Sequence, residues 1–151
     1  MKSQTLSLQR AAKWGARSNV NNDPEDLVPV LLILTDAGID CVGIDIEDKD
    51  TAATVIHRVL TEENAYAYSL VMEAWETSFI DSPLAQEGRV RDMPADDRRE
   101  VVNVHTVERD NPETYLSRAV ITRLEDGTRR LGDWEDEVSE LAIGRFVITD
   151  W

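Results

Sequence analysis

The stretch Ala65-Tyr66-Ala67-Tyr68-Ser69-Leu70-Val71-Met72-Glu73-Ala74-Trp75-Glu76-Thr77 decides the fold. Tyr, Val, Leu and Trp crowd it, and such residues favour a pleated, half-buried backbone, so it predicts a long strand. Before it, apolar residues recur mainly at helical spacing. After it, they come in short runs separated by turn residues. The change of period near residue 65 predicts an α+β chain of one domain over residues 1–151, helices first and an antiparallel sheet after.

Toward the N-terminus, Asp48 caps a helix that runs to about Glu63. Its Ala52, Val55, Ile56, Val59 and Leu60 follow the i, i+3, i+4, i+7, i+8 pattern of one buried helical face. Residues 39–47 alternate imperfectly and read as a short strand or an extended connector. Residues 26–38 read as a mostly apolar helix. A start at Asp23 would set Pro29 too deep, whereas a start at Asp26 places Pro29 in the first turn, where its missing N–H costs nothing. Gly38 then ends the helix. Residues 3–17, with Leu6, Leu8, Ala11, Ala12 and Trp14, form a further helix ended by Gly15 and Ser18-Asn19.

Toward the C-terminus, Pro83, Gly88, Pro94 and many charges make residues 80–99 a long mobile loop. Glu100–Glu108 and Tyr115–Leu124 are strands. Glu125-Asp126-Gly127 is a hairpin turn returning through Thr128–Leu131. Asp133–Glu140 is an acidic excursion, and Leu141–Thr149 closes the sheet. The expected architecture is two to three N-terminal helices on one face of a C-terminal antiparallel meander of four to five strands.

Thirty Asp and Glu oppose sixteen Lys and Arg, a net charge of −14. So negative a surface repels nucleic-acid phosphate and anionic lipid, which argues against a nucleic-acid or membrane partner. The charge admits three readings: solubility, adaptation to a high-salt cytoplasm, and imitation of DNA toward a basic protein. Thirteen Arg against only Lys2, Lys13 and Lys49 suit a halophilic source and equally a GC-rich genome. The lone Cys41 excludes an internal disulfide and fits a reducing compartment. The polar first ten residues carry no signal-peptide core, and the longest apolar run, Leu27–Leu34, is far too short to span a bilayer. A cytoplasmic location is expected.

No Gly-rich phosphate loop, Cys-x-x-Cys, His-Glu-x-x-His or Gly-x-Ser-x-Gly occurs, so no cofactor is expected. Two histidines and one cysteine make no zinc site without carboxylates. His57 falls toward the polar face of its helix. Glu73 and His105 sit mid-strand among apolar residues, and neighbouring strands would allow a carboxylate–imidazole pair fit for acid–base work or metal binding. Periodicity leaves open whether their faces meet; the alternative is two solvated side chains beside polar cross-strand partners. Arg98 and Arg99 either hold an anionic ligand or, with Asp96 and Asp97, form a solvated edge that discourages aggregation. Trp75, Trp134 and Trp151 pack, or cap an oligomer surface.

Val71-Met72-Glu73-Ala74-Trp75, followed by Pro94-Ala95-Asp96-Asp97-Arg98-Arg99-Glu100-Val101-Val102, resembles a group of uncharacterised microbial and phage-associated proteins. They share a Glu-Ala-Trp strand and a Pro/Asp/Arg loop leading into a hydrophobic strand that begins with Glu. The likeness covers roughly residues 49–107. It implies no activity and marks Glu73, Trp75 and Arg98 as positions to substitute. The functional expectation is a non-enzymatic binding or assembly module whose partner is another protein or a second copy. The alternatives are a hydrolase or metal-dependent enzyme using Glu73 and His105, and an acidic DNA-mimic inhibitor.

Overall fold

A computed structural model describes residues 1–45, 48–139 and 146–151. One antiparallel sheet of seven strands is covered on one face by helix α1 (Ser3–Asn22) and on the other by α2 (Lys49–Glu62). The strands are β1 (Val30–Thr35), β2 (Gly38–Gly43), β3 (Ala67–Glu76), β4 (Arg99–Glu108), β5 (Thr114–Arg123), β6 (Arg129–Leu131) and β7 (Glu135–Ser139). Their order is β2-β1-β3-β4-β5-β6, and β7 also pairs with β5. The α+β class stands, but the sheet exceeds four to five strands. Its helices lie on both faces, and a β-hairpin separates them.

Residues 26–38 are the main correction. Val30-Leu31-Leu32-Ile33-Leu34 forms β1, hydrogen-bonded to β2 on one side and β3 on the other. A strand flanked on both sides, with Leu31 and Ile33 buried on one face and Val30, Leu32 and Leu34 half-buried on the other, reads as a continuous apolar run, with nothing in its periodicity to separate it from a core helix. Leu31 and Ile33 pack toward α2, while Leu32 packs toward α1. Gly38 closes a hairpin turn instead of a helix; its φ of +121° is one that L side chains rarely adopt. In α1 the helix continues through Gly15 to Asn22, because Ala12, Ala16 and Val20 bury a single stripe against the sheet.

The α2 expectation holds. The Asp48 carboxylate accepts from the N–H groups of Asp50 and Thr51, and Ala52, Ile56 and Leu60 are buried. Between β3 and β4 lie a one-turn helix, α3 (Pro83–Gln86), and two 3₁₀ turns at Val90–Asp92 and Ala95–Asp97. The acidic segment 133–140 contributes β7, which continues the edge begun by β6. Four steps of chain from Leu131 to Glu135 match three from Ile121 to Arg118, so the edge bulges near Gly132, whose N–H donates to Val120 O at 2.8 Å. Of the expected closing strand 141–149, residues 141–145 lie outside the described residues. Residues 146–149 form no strand. They dock on β3 instead: the Tyr68 hydroxyl donates to Phe146 O at 2.6 Å and accepts from Ile148 N at 2.9 Å. Among the described residues, no helix is long and apolar enough to cross a membrane.

Candidate functional site

Register decides the fate of the first candidate pair. Glu73 is opposite Val102, and His105 is opposite Leu70. Directly paired residues share a sheet face, and alternation then sets Glu73 and His105 on opposite faces. Val102 belongs to the core under α1 and Leu70 to the core under α2. The two side chains cannot act together. His105 is half-buried between Leu70 and Leu116, and its burial holds the imidazole below its ordinary pKa.

Glu73 belongs to an ionic clamp. After α1 the chain crosses the end of the sheet, and Arg129 of β6 reaches beneath this crossing with no exposed side-chain surface. Its Nη1 donates to Glu73 Oε1 at 2.6 Å and its Nε to Asp23 O at 3.0 Å, while Nη2 donates to Glu25 O. Leu27 N–H donates to the same Glu73 oxygen at 2.8 Å. Beside it, Arg123 grips both oxygens of Glu100, at 2.7 and 3.0 Å, and donates to Asp26 at 3.1 Å. The Glu100 bonds raise the Arg123 pKa above its already high value.

Asp26, Glu73 and Glu100 offer oxygens within 4.8 Å of one another, the spacing of a cation site. Each, however, already answers a guanidinium, so a divalent ion would have to displace Arg123 or Arg129. The cleft beside this cluster, about 350 Å³, is walled by Trp75, which is 38 % exposed. The Arg98 guanidinium stacks 4.1 Å from the Trp75 ring centre and donates to Arg91 O. Thus Glu73, Trp75 and Arg98 do gather at one end of the sheet. Arg99 pairs instead with Glu76, which Arg118 also approaches at 3.4 Å. Trp151 packs edge-on against Tyr68, and Trp134 lies under Lys13 and Arg17.

Sequence reading passed over the outer face of α1. The first 22 residues hold four Lys and Arg and no acid, which leaves twelve bases against all thirty acids, a balance of −18, in the rest of the chain. Lys13 bonds Asp136 of β7 at 2.7 Å, and Arg17 donates to the carbonyls of Leu131 and Gly132, both at 2.7 Å. Those contacts tie α1 to the bulged edge. Arg10 makes no ion pair among the described residues. It lies one turn from Leu6, 36 % exposed, and one turn from Trp14, 75 % exposed, which gives a stripe at i, i+4 and i+8. The signal was readable as a local charge balance, and whole-chain charge concealed it. Comparison with protein-family models, curated proteins and solved structures finds no match.

Proposed function

We propose that this chain is a non-enzymatic assembly module whose Leu6–Arg10–Trp14 stripe docks on the acidic surface of a second copy. One observation carries the reading: the most exposed large aromatic side chain among the described residues stands on a stretch of 22 residues with four bases and no acid, in a chain otherwise at −18. Trp and Arg together are the residues that most often anchor protein interfaces. Opposite charge steers the encounter. Two α1 faces repel each other, so the stripe of one copy meets a different surface of the next, and the contact proposed is head-to-tail.

The acidic-decoy reading uses the same carboxylates but leaves Trp14 and Arg10 without a role. The enzyme reading required Glu73 beside His105. Sedimentation equilibrium tests the assembly. At about 0.01 M salt, where charges act over about 30 Å, the chain should associate with rising concentration. Association should weaken at about 1 M salt, where that range falls to about 3 Å. Trp14→Ala and Arg10→Glu, both at exposed positions, should each weaken it at low salt. A wild-type chain that stays monomeric at low salt overturns the proposal.

A further inference from the structure

Strand β2 forms one edge of the sheet, and its outer side is open among the described residues. The hydrogen bond from Ile44 N–H to Pro29 O, at 2.9 Å, fixes which way its backbone points. In an antiparallel pair the N–H and C=O of one residue point to the same side, and successive residues alternate. Gly38, Asp40 and Val42 therefore bond β1, while Ile39, Cys41 and Gly43 turn their N–H and C=O groups outward. Those outward groups have no partner among the described residues. Six residues of β2 pair with six of β1 without a bulge, and neither Lys nor Pro interrupts the strand. Natural edges are usually blunted by such devices, as the opposite edge is by its bulge near Gly132 and by Glu135, Asp136 and Glu137. The one charge on β2 is Asp40.

The two faces of this edge differ. Paired residues share a face, so Ile39 and Cys41, opposite Leu34 and Leu32, lie on the α1 side of the sheet, both exposed. Asp40 and Val42, opposite Ile33 and Leu31, lie on the α2 side. There a cleft of about 290 Å³ opens between the end of β2 and the start of α2, with apolar Ile44 and Val55 and acidic Asp45 and Asp48 in its lining. Residues 36–45 hold three Asp and no base, in a chain of −14.

From these features we infer that the β2 edge takes up an extended basic segment of another protein as an added strand, antiparallel to β2 as every other pair in the sheet is. Apolar residues of the guest lie along Ile39 and Cys41. Alternate Lys or Arg residues lie along Asp40, and one of them reaches the cleft at Val55, its stem on the apolar wall and its charge beside the carboxylates. A second β2 is a poorer guest, since it brings its own acids and another −14. The contact does not depend on the α1 stripe.

The test adds the peptide acetyl-Lys-Val-Lys-Val-Lys-Val-Lys-amide to the full ¹⁵N-labelled chain and follows amide hydrogen exchange. It is run on wild type and on a chain carrying Arg10→Glu and Trp14→Ala, so that failure of the α1 contact leaves it readable. Without peptide, the amides of Ile39, Cys41 and Gly43 should exchange fast and those of Asp40 and Val42 slowly. At about ten times its Kd, the peptide should slow the first three about tenfold. Glutamates in place of its lysines should abolish this protection. N-methylation of its valines, whose N–H groups face β2, should abolish it too, whereas N-methylation of its lysines should not. Asp40→Lys, at an exposed position, should weaken binding about fivefold. The inference fails if the peptide leaves the three amides unprotected, if the glutamate peptide protects them equally, or if the two methylated peptides act alike. It also fails if Asp40→Lys binds as the wild type does, or if rising chain concentration alone protects the three amides, since a second copy then fills the edge.

Discussion

Nη1 of Arg129 lies 2.6 Å from Oε1 of Glu73, with the Arg129 side chain wholly buried and Glu73 13 % exposed. This pair joins β3 to β6 across the strands between them. Through the carbonyls of Asp23 and Glu25 and the N–H of Leu27, it also fixes the path from α1 to β1. The glutamate that looks catalytic in the sequence therefore holds the chain crossing in place.

Removing one member should be costly. Arg129→Met strands the Glu73 carboxylate and two carbonyls, and Glu73→Leu strands a buried guanidinium; each should lower stability by about 3–5 kcal/mol. The double variant should lose less than the sum of the two, because neither charge is left alone. Urea denaturation measures all three. Single losses below about 1 kcal/mol would contradict the clamp.

His105 sets an expectation for pH. Its folded pKa lies below the ordinary 6.5, so between the two values the unfolded chain binds the extra proton. Stability from this group is complete above about pH 7.5 and is lost as pH falls through 6.5 toward the folded value. His105→Gln should flatten that part of the stability–pH curve. An unchanged slope in the variant would show that the imidazole is not the group responsible.

The α2 cap gives a smaller effect. Asp48 Oδ1 accepts from Asp50 N and Thr51 N at 3.1 and 3.3 Å, and Oδ2 accepts from the Thr51 hydroxyl at 2.7 Å. Asp48→Ala should cost about 0.5–2 kcal/mol in thermal or urea unfolding, and Asp48→Asn should retain most of that. Equal losses in the two variants would show that charge, and not capping, is what matters.

What the sequence made legible follows from which elements have one wet face. α2, β3, β4 and β5 were readable because cap, period or turn residues mark them locally. β1 was not, because a strand with apolar residues on both faces, one buried and one half-buried, carries no alternation in sequence, and Pro29 and Gly38 suit a helix start and stop as well as strand boundaries. β7 was hidden by its own composition, since Glu135, Asp136 and Glu137 join the sheet at an exposed edge where acids are tolerated. Among site residues, Glu73 and Trp75 stand out within their apolar strand, but only register shows that His105 faces away from Glu73. Arg129 drew no notice, since nothing in Thr128-Arg129-Arg130 distinguishes the buried arginine from its exposed neighbour.

Head-to-tail assembly through α1 is tested most directly by mixing. A chain carrying Arg10→Glu and Trp14→Ala loses its stripe but keeps its acidic surface. By sedimentation velocity at low salt it should be monomeric alone, yet enter complexes when wild-type chain is added, because it still accepts the stripe of another copy. If the variant stays monomeric beside associating wild type, or if the wild type does not associate at all, the proposed contact is wrong.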